Sequence, residues 1–410
     1  MNKFGIRQVL IVISLSLLLG SSSLINLGSS EVPIDPVILR LRYFMVVINL
    51  IFLLVMAKFD MQDIPTRPVP LFLFWILFTL VSVISGITNN DFTSVRDGLW
   101  LMLAVPLLFF KIFPRLMDKN ANFIISLSMF LGLFPYIFMS LFLHPLSQSN
   151  SNIYSGVFPN SNQLGFTCAA MASGILILLI GSLSKTSGMW YALFLFLWLF
   201  SLMMILVANA RTSLLAFAAM SVILLLKLLQ KPQVLIVIII SVIIVMSLII
   251  IGSSGQQTQD ILQQITNIQK KEALSGREEI WSKTISDMSL LGHGSNYFEL
   301  NFGLGGHNSI IIALGANGLI AAYFMIGFMV ASFYYSYEYF RKYDKQEPYA
   351  CGPLVITTGF WFLAMGEGMF GSLGNAMTMA YMLSLGVIIR KANPSKNYLL
   401  NKKLPQDQPP

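Results

Sequence analysis

Charge is scarce in this chain. Lys, Arg, Asp and Glu make up 11% of its 410 residues, while hydrophobic residues make up 56%. Soluble domains carry about 25% charged residues. The shortage excludes an ordinary water-facing globule, because most of this surface must meet something other than water. Histidine is rarer still: His144, His293 and His307 are the only three. The two cysteines, Cys168 and Cys351, lie in or beside apolar stretches and read as packing residues, silent about redox compartment. No internal repeat is visible. The net charge of +8 does not point to nucleic acid, since the basic residues sit in short connectors between apolar runs.

Long apolar runs are what the chain has instead. About 20 such residues cross a bilayer core as a helix, and only helices and closed barrels satisfy their backbone groups in lipid. The runs are continuous rather than alternating, which selects helices. We expect an all-α, polytopic integral membrane protein with about twelve spans. They fall near 9–28, 37–57, 69–88, 98–113, 121–143, 162–182, 188–208, 212–229, 233–252, 308–332, 351–369 and 374–390. Lys3, Arg7 and the serines Ser21, Ser22 and Ser23 would suit a cleaved signal peptide. An uncleaved first span is the expectation, because further spans follow at once.

Orientation comes from the connectors. With the N-terminus inside, the inner connectors and tail outnumber the outer ones in Lys and Arg by three to one, leaving Arg40 and Arg42 within the second span. Both termini are therefore expected in the cytoplasm. The chain divides into a membrane unit over 1–252, an extracytoplasmic loop over 253–307, further spans over 308–391, and a tail over 392–410 expected to be disordered. The loop is the one long connector, between spans nine and ten, and long connectors tend to carry function. Its first half patterns as an amphipathic helix with Ile261, Ile265 and Ile268 on one stripe, ended by Gly276. A second helical stretch would bury Ile280, Trp281, Ile285 and Met288, and a glycine-rich segment then runs to His307.

Several residues could carry chemistry. His307 stands at the outer mouth of the tenth span, followed by Asn308. It is either a polar marker of the helix start, with Asn308 or Ser309 as cap, or a general base. Arg211 lies in Asn209-Ala210-Arg211-Thr212-Ser213 between two spans with almost no connector. It either snorkels to the interface or clamps an anion. Arg277 is either a solvated loop arginine paired with Glu278 or Glu279, or part of the same clamp. Arg40 and Arg42 either snorkel or add positive field for an anionic headgroup. Gly156-Val157-Phe158-Pro159-Asn160-Ser161-Asn162-Gln163-Leu164-Gly165 opens the sixth span, where turn chemistry alone explains its Gly, Pro and Asn.

In this order, four segments resemble the O-antigen ligase and O-antigen polymerase superfamily of bacterial membrane glycosyltransferases. They are GVFPNSNQLG, NARTSLLAF, GREEIWSKTISDMSLLGHGSNYF and HNSIIIALGANGLIAAYF. The resemblance covers roughly 150–330. It departs at Asn317, where many relatives carry an acid before the second glycine, and no role is assigned there.

The resemblance implies transfer of a glycan from a polyprenyl diphosphate carrier to a sugar hydroxyl, outside the bacterial cytoplasmic (inner) membrane, with inversion and without a metal or cofactor. His307 would be the catalytic base. Arg211 and Arg277 would hold the diphosphate, assisted by Arg40 or Arg42. Asn160, Asn162, Asn308 and Trp281 would be substrate-pocket candidates. The implied partners are the lipid-linked donor, the glycan acceptor, membrane lipids and other polysaccharide-assembly membrane proteins. A polymerase is slightly preferred. The alternatives are a ligase acting on lipid A-core, a protein O-oligosaccharyltransferase, or, from another class, a twelve-span transporter or lipid flippase.

Overall fold

A computed structural model of the chain describes residues 5–24, 27–28, 35–57, 67–117, 120–146, 154–183, 188–229 and 277–393. Among these the secondary structure is helical throughout, and eight helices are long and apolar enough to cross a membrane. In chain order the helices are α1 (Ile6–Leu24), α2 (Pro36–Met56), α3 (Val69–Thr88), α4 (Phe92–Leu116), α5 (Ala121–Leu143), α6 (Ser161–Ser182), α7 (Gly188–Val207) and α8 (Arg211–Leu228). They continue with α9 (Arg277–Ser286), α10 (Tyr297–Phe302), α11 (Ser309–Ile312), α12 (Leu319–Tyr343), α13 (Gly352–Gly366) and α14 (Ala376–Ala392).

Helix α6 is the hub. From Leu164 to Ser182 nearly every side chain is buried, and it packs against α5, α7, α8 and α13. A helix that is apolar all round belongs inside a bundle. Helix α14 is buried along its length in the same way. The outer helices keep large apolar side chains exposed, such as Phe44, Leu73, Phe142, Phe196 and Val330, as a lipid-facing surface does. Helix α1 packs against α5 and α2, and Ser21, Ser22 and Ser23 are buried. Helix α1 thus forms a wall of the bundle.

Ten of the expected spans coincide with described helices to within a few residues; the one at 233–252 lies outside the described residues, as do the amphipathic stripe at Ile261, Ile265 and Ile268, the break at Gly276 and most of the tail. The fourth starts six residues early, at Phe92, because the Asp91 carboxylate caps it through the Thr93 and Ser94 amides. The tenth is corrected more deeply. Instead of one helix over 308–332, the chain makes a single turn (α11), a π-helical stretch over Ala313–Asn317, a break at Gly318, and only then α12.

The break is built into glycine. Gly318 has φ +90° and Gly292 has φ +71°, and a Cβ on Gly318 would sit 2.4 Å from the Gly292 nitrogen. The two backbones meet there, with Leu319 N–H donating to Ser289 O at 2.9 Å and Gly294 N–H to Ala316 O at 3.0 Å. A side chain at either position would push them apart. The turn between α3 and α4 holds this knot from the other side. Asn89 donates to Gly292 O, Ser85 donates to Leu291 O, and Ser295 N–H donates to Asp91 Oδ2 at 2.6 Å.

The candidate functional site

The end of α1, the start of α6, the end of α13 and the start of α14 converge at one end of the bundle. They enclose a cavity of about 310 Å³, lined in part by Ser22, Ser23, Asn160, Asn162, His307 and Glu367. Glu367 is its centre. The chain leaves α13 at Gly366 in extended conformation, which turns the Glu367 carboxylate back into the bundle, where it is 16% exposed.

That carboxylate is shared. His307 Nδ1 lies 2.9 Å from Oε2, and the Arg277 guanidinium lies 3.2 Å from Oε1 while also donating to Gly366 O at 2.7 Å. The Asn162 amide donates to Oε1 at 3.4 Å. An ionised carboxylate only accepts, so it faces a proton on His307 Nδ1; the neutral ring in this tautomer has its lone pair on Nε2. The backbone enforces this pose. His307 holds φ +46°, a conformation side chains seldom adopt, and the next residues are anchored. The Asn308 carboxamide accepts from the Ile310 and Ile311 amides as cap of α11. Ser309 Oγ donates to Glu367 O at 2.9 Å and accepts from the Met369 and Phe370 amides.

Helix α9 sits over this loop. Its Trp281 indole donates to Gly306 O at 3.0 Å, and Ile280 packs with Tyr297, Phe298 and Ile311. Ile285 and Met288, expected on the buried side, are exposed; Thr284 takes the inner position. Ile280 and Thr284 are four residues apart and share the face of α9 that is buried, whereas Ile285 lies off that face and Met288 lies beyond the end of the helix.

The residues singled out from sequence divide accordingly. His307, Asn160 and Asn162 line the cavity, and Arg277 reaches it through Glu367. Arg211 is the first residue of α8, whose first turn packs against two of these walls. A Cβ on Gly165 of α6 would fall 2.2 Å from Ala210 Cβ, and one on Gly366 would fall 2.3 Å from Thr212. Thr212 thus meets Gly366, the residue before Glu367, and its neighbour Arg211 does not itself line the cavity. Asn308 and Trp281 do not line the cavity. The Asn308 Oδ1 caps the α11 amides and the Trp281 indole N–H bonds Gly306 O, so both shape the His307 loop. Arg40 is exposed on α2, and Arg42 donates to its neighbour Tyr43 at 2.7 Å; neither lines the cavity.

Glu367 was missed from sequence because the expected span ran to 369 and swallowed it. The signal existed: a carboxylate inside an apolar run costs free energy and calls for a partner.

Outside the membrane segments, the Asp91 carboxyl is held well below the usual carboxylate range. Partial burial works against this, but hydrogen bonds from the Ser295 amide and from Ser94 outweigh it. Among the described residues no three His, Cys, Asp or Glu side chains gather as a metal cage would need.

The fold and site define a class: an all-helical, multi-pass membrane protein with a polar cluster of His307, Glu367 and Arg277 at one end of its bundle. Compared with protein-family models and with curated proteins, the chain matches none.

Proposed function

We propose that this chain is a membrane glycosyltransferase that moves a glycan from a polyprenyl diphosphate carrier to a sugar hydroxyl at the outer face of a bacterial cytoplasmic membrane. The full topology in this reading is twelve spans with both termini in the cytoplasm. Joining one lipid-linked repeat to another is preferred; ligation to lipid A-core differs only in the acceptor. The observation that carries the reading is the sharing of the Glu367 carboxylate by His307 and Arg277.

The chemistry follows from that geometry. Glu367 fixes the His307 ring with Nε2 as the acceptor nitrogen and offsets the charge the ring gains on protonation. As the acceptor oxygen bonds to the anomeric carbon, its proton passes to His307 Nε2. The bond from that carbon to the diphosphate oxygen breaks, and the electron pair leaves with the diphosphate. A single displacement inverts the anomeric centre. Negative charge grows on the leaving group, so it needs fixed positive charge rather than an acid. Arg277 has five N–H donors, of which the bonds to Gly366 and Glu367 take two. Together with Arg211 it supplies that charge. Asn160 and Asn162 offer amides along the wall.

The test is genetic. The native gene is deleted and restored as wild type, His307→Ala or Arg277→Ala, and surface glycan is resolved by gel. Loss of the ladder in both variants supports the reading. A full-length ladder with normal surface attachment in both overturns it. Accumulation of single lipid-linked repeats marks a polymerase; full-length chains stranded on carrier lipid mark a ligase.

A further inference from the structure

A second cavity, of about 360 Å³, lies beside the first, between α3, α4, the Ser295 turn and the chain leaving Glu367. We propose that it is the binding site for a neutral sugar of the acceptor; this rests on the glycosyltransferase reading above.

The walls argue for a polyol. Thr93, Ser94, Asp97, Ser295, Asn317 and Ser372 present hydroxyl, amide and carboxylate groups, while Phe78 and Phe370 add apolar surface. Such a mixture of a few polar groups on aromatic walls suits a small neutral ligand. An anion is disfavoured, since the one charged group in the wall is the Asp97 carboxylate. A cation is disfavoured too, because Asp97 is paired with Arg96 at 2.9 Å and no second carboxylate faces it in the wall. A lipid chain would offer no hydrogen bond to the Thr93 and Ser372 hydroxyls or the Asn317 amide. Asn317, to which sequence gave no role, becomes a sugar ligand at the π-helical break.

Position makes the site an acceptor site. Met369 lines the first cavity and its neighbour Phe370 lines the second. Successive Cα atoms are about 3.8 Å apart, so one thickness of backbone divides the cavities. Ser309 Oγ pins that divider, accepting from the Met369 amide at 3.0 Å and the Phe370 amide at 3.1 Å. A sugar held on the Phe370 side lies across this divider from the His307 side of the reaction.

The experiment measures binding without turnover. Full-length protein in detergent is mixed with methyl glycosides of glucose, galactose and N-acetylglucosamine, and ligand saturation transfer is read by NMR. Thr93 is exposed at the rim, so Thr93→Trp plugs the cavity without entering the core; Asp97→Ala removes the carboxylate. At least one glycoside is expected to give signal with wild type. Its affinity should fall about tenfold or more in both variants and stay within about twofold in His307→Ala. Equal melting temperatures show that the variants are folded. The inference is overturned if wild type gives no signal with any of the three, if both variants bind like wild type, or if His307→Ala loses binding that Thr93→Trp keeps. If His307→Ala and Arg277→Ala instead both leave the surface ladder intact in cells, the glycosyltransferase reading fails while the sugar-binding result stands apart.

Discussion

Both ends of the helical bundle carry ion pairs, and the two ends use them differently. At the end away from the cavity, cations and carboxylates pair one to one across helix termini. Lys227 of α8 meets Asp344, and Lys391 of α14 meets Glu347, which also accepts from Tyr339 at 2.8 Å. Tyr339 accepts in turn from Asn122 at 3.3 Å, tying in α5. These contacts join the ends of α5, α8, α12 and α14, and each carboxylate there meets a single cation. At the cavity end, one carboxylate serves Arg277, His307 and Asn162 together. The imidazole it holds keeps a nitrogen for other work, and its residue sits in a strained backbone conformation. A bundle needs its ends tied, which the first arrangement does. Strain and a shared carboxylate beside a cavity are the features that the proposed reaction would use.

Substitutions at four positions separate these roles, in order of expected effect. On the proposed reading, His307→Ala removes the proton acceptor and should lower glycan transfer by about 10²–10⁴-fold, measured as turnover of the host's lipid-linked donor by purified protein. Loss below tenfold would move His307 to the structural side of the comparison. Arg277→Ala should cost about 10²–10³-fold. Arg277→Lys should recover little of it, because a point charge cannot serve Gly366 O and Glu367 at once. Glu367→Gln keeps the size of the side chain and removes its charge. A fall of about 10–100-fold in turnover, with donor binding little changed, would mark it as the residue that positions His307. Glu347→Gln at the opposite end breaks the pairing with Lys391. It should lower the melting temperature slightly and leave turnover within about twofold.

A pH test sharpens the same contrast at the Asp91 clamp. Its carboxyl is lowered in the folded protein, so its stabilising effect is full above the ordinary range, near pH 4. That effect is lost only as pH falls through the lowered folded value. Protection of the Ser295 amide from hydrogen exchange should therefore stay flat from pH 8 to pH 5. In Asp91→Ala it should be absent throughout, with about 1 kcal/mol lost from the α4 cap. Protection that fades between pH 8 and pH 5 in wild type would contradict the clamp.

The helices were legible in sequence because a run of apolar residues states its own solvent. Helix caps were half legible. Asn308 sits where a cap is expected, whereas Asn160, read as turn chemistry, caps α6 and Asp91 moved the start of α4 beyond the apolar run. The break at Gly318 was not legible. The run SIIIALGANGLIAAYF stays apolar enough to read as one span, and what interrupts it is the backbone of Gly292, 26 positions earlier.

For the site, sequence singled out His307, Arg277 and Arg211 as one group on one side of the bundle, and it did so from spacing and resemblance. It also offered Arg40, Arg42, Asn308 and Trp281, with nothing to separate ligand contact from scaffolding. Composition alone determined that this chain lives in a membrane, since the free energy of apolar surface is additive and needs no partner to be counted. Only the tertiary structure decided that Glu367 joins His307 and Arg277. Those pairings cross 60 and 90 positions of chain. A contact at that range is fixed by how α9, α11 and α13 pack, which no local rule of sequence contains.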